Sequence, residues 1–251
     1  MRIDTHCHLN KEDYENIDEV IKRMGNNIMI VSGDSKETNK QVIELCNKYD
    51  NVYGTIGYHP NSLDEYNEKT LLELMSQAKH NKIVAIGEIG LDYHYDNHDK
   101  EKQQKAFIEQ IKIAKELNKP IVIHSRDAGD DTYKILNDEA KNLKIIMHCY
   151  SYSLEFAKQL LKFNIMFGIG GVVTFKNGVK LKKVVEEIDL EKLLLETDSP
   201  YLSPEPLRGQ KNEPYNTLYI AEEIAKIKGI SLEEVEEITT KNAISQFDLP
   251  I

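Results

Sequence analysis

Two histidines lie two residues apart near the start of the chain, in the run Thr5-His6-Cys7-His8. Apolar and β-branched residues precede them and predict a strand that ends here. Side chains alternate between the faces of a strand, so His6 and His8 project to one side and Cys7 to the other. Two adjacent imidazoles can bind one cation, although histidines at this spacing also serve as hydrogen-bonded structural residues.

Metal-competent side chains recur at the ends of four later apolar runs, as Glu88, His124, His148 and Asp198. Each has an ordinary alternative: Glu88 could pair with a lysine, the histidines could bind backbone groups, and Asp198 could cap a turn. Six separate structural roles explain the pattern less well than one shared site does. Burying carboxylates and imidazoles beside apolar strands is costly unless these groups are paired or metal-bound. The six side chains therefore predict one metal site.

Eight short apolar runs predict the strands that must position these side chains. They are Met1 to His6, Asn27 to Val31, Val52 to Gly57, Ile83 to Glu88, Pro120 to His124, Lys144 to His148, Ile165 to Ile169 and Leu193 to Glu196. Longer segments with helical periodicity separate them. One example is Lys100 to Leu117, in which Phe107, Ile111 and Ala114 recur at helical spacing.

Strands that alternate with helices pair in parallel, since each parallel connection needs a crossover of a dozen or more residues. About eight such units in 251 residues predict an α/β fold, a single (β/α)8 TIM barrel over residues 1–251. The tail from Glu213 adds two C-terminal helices, the second opened by a capping-box pattern at Ser231 and Glu234. In such barrels the active site lies at the carboxyl ends of the strands, where all six candidate ligands fall.

Composition narrows the class of protein. The chain has 32 Lys and Arg against 42 Asp and Glu, a net charge of −10, which argues against an overall basic nucleic-acid-binding surface. No apolar run approaches the roughly 20 residues that cross a bilayer, and no apolar signal peptide follows Met1. Three scattered cysteines without Cys-x-x-Cys spacing predict neither disulfides nor a thiolate zinc site. We expect a cytoplasmic protein without a membrane partner.

Several longer motifs occur in order along almost the whole chain. They are Ile3-Asp4-Thr5-His6-Cys7-His8-Leu9, Gly57-Tyr58-His59-Pro60, Ile86-Gly87-Glu88-Ile89-Gly90-Leu91-Asp92-Tyr93, His124-Ser125-Arg126-Asp127-Ala128, His148-Cys149-Tyr150-Ser151, Glu196-Thr197-Asp198-Ser199-Pro200-Tyr201-Leu202 and Arg208-Gly209-Gln210-Lys211-Asn212-Glu213-Pro214. With them the chain resembles the TatD family of metal-dependent deoxyribonucleases, within the amidohydrolase superfamily.

The resemblance implies that Glu88 bridges two divalent cations. It implies that one cation is also held by His6, His8 and Asp198, and the other by His124 and His148. Four imidazoles and two carboxylates suit Zn, Mn, Fe, Co or Ni better than an all-oxygen Mg or Ca site, and the native metal stays open. Two such cations can activate water near neutral pH and stabilise the charge on a phosphodiester, so no other cofactor is needed. Asp198 is our hypothesis for the group that orients or deprotonates the water.

Three residues are predicted to contact substrate. His59 resembles a substrate-side histidine of the family, or it caps a turn before Pro60. Arg126 lies two residues after His124 and could bind phosphate through its planar guanidinium, or pair with a neighbouring aspartate. Asn212 lies in a Pro-rich loop where the resemblance suggests substrate contact and the residues alone suggest a solvated turn.

Two further features concern the substrate. The segment Lys176 to Lys183 is locally basic and could face an anionic polymer, or it is a solvated helix face. Tyr152 follows Ser151 where the family usually has glycine, which leaves substrate preference open.

The resemblance implies hydrolysis of DNA phosphodiester bonds as the expected activity. Digestion of DNA from its 3′ end, as a 3′ to 5′ exonuclease, is one form that this activity could take. The expected partner is nucleic acid, in the form of DNA ends or single strands. The sequence indicates no obligate protein partner. The alternatives are hydrolysis of a small ester or amide, or of a D-aminoacyl-tRNA, at the same site. A non-catalytic metal or nucleic-acid binding protein is the third possibility, and a turnover assay separates it.

Overall fold

The computed structural model describes residues Met1–Ile251, with eight strands and nine α-helices. The strands are β1 Ile3–Cys7, β2 Ile28–Ser32, β3 Val52–Ile56, β4 Ile83–Asp92, β5 Ile121–Arg126, β6 Ile145–Met147, β7 Ile165–Ile169 and β8 Leu193–Leu195. The helices are α1 Ile17–Met24, α2 Lys36–Lys48, α3 Glu68–Gln77, α4 Lys100–Leu117, α5 Gly129–Glu139, α6 Leu154–Leu160, α7 Val179–Glu187, α8 Thr217–Lys228 and α9 Leu232–Phe247.

The eight strands form one sheet in the chain order β1 to β8, with helices between successive strands. The pairings that fix the register, such as β4 with β5 and β7 with β8, are parallel. This is the (β/α)8 TIM barrel that the alternation predicts, and all eight predicted strands are present with ends shifted by a few residues. The largest shift is in β4, which continues past Glu88 to Asp92 because it pairs with β5 as far as Arg126.

The chain folds into two compact units, each with its own buried apolar residues. The first contains Met1–Val31, His148–Lys162 and Met166–Ile251. Within it, the Thr5 hydroxyl donates to the Leu195 carbonyl and joins β1 to β8. Phe167 of β7 and Phe247 of α9 are fully buried.

Helix α9 of the C-terminal tail is hydrogen-bonded to the residue that opens the chain and to the start of β8. The Thr240 hydroxyl donates to the Met1 carbonyl, and the Asn242 amide donates to the carbonyls of Leu190 and Leu193, each at 2.8 Å. Ser231 begins the helix by accepting from the Glu234 N–H, as its sequence pattern predicts.

The second unit contains Ser32–Met147 and Phe163–Ile165. Helix α4 has the predicted bounds, and its apolar stripe buries Phe107, Ile111 and Ala114. The same helix reaches β4 through Gln103, whose side chain accepts from the Asp92 N–H and donates to the Asp92 carbonyl, both at 2.9 Å. This pair of bonds fixes the carboxyl end of β4.

No helix has the length and apolar character needed to traverse a membrane. None of the three cysteines forms a disulfide; Cys7 and Cys46 are buried, and Cys149 is partly exposed. Cytoplasmic localisation and a single domain over residues 1–251 stay predictions.

Candidate metal centre

In the first unit, three histidines and an aspartate lie close together near the carboxyl ends of β1 and β8. Nε2 of His6 lies 3.2 Å from Nε2 of His8, and Oδ1 of Asp198 lies 3.8 Å and 3.6 Å from these two nitrogens. The ring of His148 stacks on that of His6 with centroids 3.8 Å apart. Ligand atoms of His6, His148 and Asp198 all lie within 4.8 Å of one another.

Backbone hydrogen bonds bring these residues together from distant parts of the chain. The Asp198 N–H donates to the His6 carbonyl at 2.9 Å, and the His8 N–H donates to the Ser199 carbonyl at 2.7 Å. Asp198 has a left-handed φ of 53°, which aspartate tolerates better than most residues. Cys7 is fully buried with its thiol toward the Ile30 carbonyl, so its side chain leaves the histidine face as the strand alternation predicts.

Opposing effects act on the pKa of Asp198. Burial raises this pKa, but the hydrogen bond from His8 and the charges of His148, His6 and His8 lower it, and the net pKa lies below the ordinary value. The carboxylate is therefore ionised at neutral pH and able to accept a proton or bind a cation.

Glu196 is a fully buried carboxylate behind His148 that the sequence interpretation did not single out. Its Oε1 accepts from the Cys149 N–H at 2.5 Å and lies 3.6 Å from Nδ1 of His148. A Cβ at Gly168 would lie 2.0 Å from its Oε2, so only glycine leaves room for this side chain. The 3.6 Å distance to Nδ1 is longer than a hydrogen bond, so the Glu196 carboxylate acts on the His148 ring through its charge.

In the second unit, Glu88 of β4 and His124 of β5 lie side by side, each a few residues before its strand ends. Nδ1 of His124 lies 2.9 Å from Oε1 of Glu88, and its Nε2 lies 3.2 Å from Oδ2 of Asp92. His59, after β3, completes the group: its Nε2 is 3.6 Å from Oε1 of Glu88. Glu88 and Asp92 are almost inaccessible to solvent.

Asp92 is the second residue that the sequence interpretation did not single out. Its Oδ2 accepts from His124 and also from the Asn61 amide at 3.0 Å, while its Oδ1 accepts from the His94 N–H at 3.0 Å. Burial acts to raise the pKa of Asp92, but these hydrogen bonds outweigh it and hold the pKa well below its usual range. Asp92 is thus a fixed carboxylate that orients the ring of His124.

His59 is held in one neutral tautomer. Its Nδ1 accepts from the Asn61 N–H at 3.0 Å, which leaves the proton of the neutral ring on Nε2, facing Glu88. Burial lowers the pKa of His59 to about 4, although the charge of Glu88 opposes the shift. His59 is therefore a hydrogen-bond donor toward the cluster at neutral pH.

Both clusters fit divalent cations by the chemistry of their donors. Imidazole nitrogens and carboxylate oxygens lie close enough to one another, within 4.8 Å, to bind the same cation. The carboxylate of Glu196 lies near Nδ1 of His148, and that of Asp92 accepts a hydrogen bond from His124. The residues able to hold metal are His6, His8, His148 and Asp198 in the first unit, and Glu88 and His124 in the second.

A family model described as TatD related DNase matches residues 3–248. The chain belongs to the TatD family. It is 44% identical over 248 residues to the uncharacterized metal-dependent hydrolase YabD of Bacillus subtilis, covering 97% of each chain. It is 40% identical to a metal-dependent hydrolase of Methanocaldococcus jannaschii, covering 98% of this chain and 96% of the relative.

Solved structures agree with this assignment. The TatD homolog YJJV from Escherichia coli matches with a TM-score of 0.91 and 29% identity, covering 99% of this chain and 98% of the other. A hydrolase of the TatD family from Entamoeba histolytica matches with a TM-score of 0.88 and 27% identity, covering 98% and 97%. The protein is a metal-dependent hydrolase with the fold of its family.

Of the predicted substrate contacts in this TatD protein, Arg126 is exposed and Asn212 is buried. No ion pair engages the Arg126 guanidinium, and Asp127 pairs instead with His94 at 3.0 Å. The Asn212 amide donates to the carbonyls of Thr197 and Tyr201. These contacts make Asn212 a structural residue of the loop after β8, and its contact with substrate stays a prediction.

The basic segment after β7 is partly neutralised within the protein. Lys182 pairs with Glu223 at 2.8 Å, and Lys183 lies 3.5 Å from Glu187 on the same helix. The contacts of these two lysines therefore favour the interpretation that this segment is a solvated helix face. Tyr152 packs against Phe156, with ring centroids 5.0 Å apart.

Proposed function

We propose that this TatD protein is a metal-dependent deoxyribonuclease that hydrolyses phosphodiester bonds at DNA ends or in single strands. The observation that carries the proposal is the convergence of imidazole and carboxylate groups at the carboxyl ends of the strands. As the family resemblance implies, the residues that would hold two divalent cations are His6, His8, Glu88, His124, His148 and Asp198.

When bound, the two cations supply Lewis acidity and neutralise charge on the phosphodiester. Asp198 is ionised, and it accepts a proton as the water oxygen forms its bond to phosphorus. The bond from phosphorus to the leaving sugar oxygen breaks, and that oxygen takes a proton from solvent. His59 donates from Nε2 toward the same region and orients the reacting groups.

The choice of a phosphodiester over a neutral ester is supported by Arg126. Its guanidinium is exposed at the end of β5, two residues from His124, and no carboxylate pairs with it. A guanidinium that is free of an acidic partner binds two phosphate oxygens in a bidentate contact. A small neutral ester has no group that requires this charge.

The test is turnover by metal-loaded protein on end-labelled single-stranded DNA, duplex DNA, RNA, a D-aminoacyl-tRNA and a neutral ester. We expect metal-dependent cleavage of DNA that a chelator abolishes and that Glu88→Gln reduces by orders of magnitude. The matched control is Glu109→Gln, which changes a partly exposed glutamate that accepts a hydrogen bond from Tyr66. Turnover of only the neutral ester or the aminoacyl-tRNA would contradict the nuclease assignment.

A further inference from the structure

A cavity of about 470 Å³ opens beside the second cluster, between the loops after β3 and β4 and the start of α4. Asn61, Tyr95, Asn97 and Lys102 are among the residues that line it. Asn61 connects the cavity to the cluster, because its amide donates to the Asp92 carboxylate that holds His124. A cavity of this volume accommodates a group of the size of a nucleoside.

Tyr95 presents an aromatic ring at this cavity with 51% of its surface exposed. The loop that carries the ring is held in place. The ring of Tyr93 stacks on that of His98 with centroids 4.9 Å apart, Nδ1 of His98 contacts the Tyr95 carbonyl at 2.6 Å, and the His94 N–H donates to Asp92. An exposed ring on an ordered loop is a ready platform on which a flat ligand can stack, with little entropy left to lose.

The charged residues around the Tyr95 ring favour an anionic ligand group on one side and a neutral ligand group in the cavity. The Arg126 guanidinium lies over one face of the Tyr95 ring, 5.8 Å from its centroid, in a cation–π contact. Its N–H groups can also bind an anion. The cavity itself is lined by Asp64 and Asp99 as well as Lys102, so it does not favour a phosphate. A nucleotide matches both sites, because its neutral base can occupy the cavity while its phosphate binds Arg126.

We propose that Tyr95 is the stacking platform for the base of a nucleotide next to the hydrolysed phosphodiester, with Arg126 on its phosphate. The proposal rests on the nuclease function and adds the part of the substrate that is recognised. Base stacking on an aromatic ring tolerates every base, so the site gives affinity for an unpaired nucleotide without sequence preference.

The experiment compares a short single-stranded oligonucleotide with the same oligonucleotide abasic at the terminal nucleotide, and with bis(p-nitrophenyl) phosphate. We expect Tyr95→Ala to lower kcat/KM on the complete oligonucleotide by about 5-fold to 150-fold, mainly through KM. Tyr95→Phe keeps the stacking face and should retain the affinity. The abasic oligonucleotide and the small diester should respond little to either substitution.

The control is Tyr215→Ala, which removes an exposed tyrosine that contacts Arg2, before the amino end of β1. If Tyr95→Ala leaves kcat/KM on the complete oligonucleotide unchanged, or lowers it equally on the abasic one, the stacking assignment is overturned and the nuclease function stands. If the wild-type protein cleaves bis(p-nitrophenyl) phosphate but neither oligonucleotide, the nuclease function fails and the assignment fails with it.

Discussion

Replacement of Asp92 by asparagine tests whether this buried carboxylate fixes the ring of His124. The carboxylate accepts three hydrogen bonds, from His124 Nε2 at 3.2 Å, from the Asn61 amide at 3.0 Å and from the His94 N–H at 3.0 Å. An asparagine has one acceptor oxygen and one NH2 group, so it cannot accept all three. With its oxygen toward His94, its NH2 faces another donor, the Asn61 amide.

That orientation also changes the imidazole. An NH2 group opposite Nε2 of His124 favours the tautomer whose proton lies on Nδ1, the nitrogen that faces Glu88. A protonated nitrogen cannot bind a cation. Loss of a carboxylate behind a ligating histidine typically lowers metal affinity 10-fold to 100-fold, equivalent to about 1.4 to 2.8 kcal/mol.

The assay is zinc affinity of the metal-free protein by competition with a chromophoric chelator. The control is Asp64→Asn, which removes the same charge from an exposed residue of the nearby cavity. We expect only the Asp92 variant to lose affinity. Equal affinities for the two variants would refute the positioning role of Asp92.

Two other predictions concern buried groups. Gly168→Ala should lower the free energy of unfolding by about 1–3 kcal/mol, as overpacking does, because the added Cβ would lie 2.0 Å from Oε2 of Glu196; an unchanged denaturation midpoint would show that Glu196 moves freely. Burial raises the pKa of Cys46 from 9.0 to about 12, so its thiol should resist a thiol-specific reagent at pH 8 until the protein unfolds. By linkage, the contribution of Cys46 to stability is fully present below pH 9.0 and is lost as the pH rises toward 12. Burial also raises the pKa of Cys7 and of several tyrosines, so urea titrations at pH 8 and 10.5 should show a loss in both proteins that is larger in the wild type than in Cys46→Ala.

The barrel could be predicted from the sequence because its signals are local. Each signal lies within a short continuous segment of the sequence. The examples are the apolar runs of the strands, the apolar stripe of α4 and the cap at Ser231. The two histidines on one face of β1 follow from strand alternation alone.

The roles of Asp92 and Glu196 depend on contacts that no local pattern contains. The prediction ended β4 at Glu88, but pairing with β5 extends the strand and places Asp92 against His124. Glu196 acquires its position from the backbone N–H of Cys149, which is 47 residues away in the chain, and from the space left by Gly168. The acidic residues that lie beside the histidines could therefore be identified only from the tertiary structure.

The anchoring of α9 has a consequence for synthesis on the ribosome. Residues 1–31 share their compact unit with residues that are made last, since Met1 and Arg2 bind Thr240 and Glu236. The other unit is almost one continuous stretch, and all of its residues lie before residue 166. The middle of the chain can therefore acquire its native contacts during translation, while the opening segment awaits the final helix before its histidines are fixed.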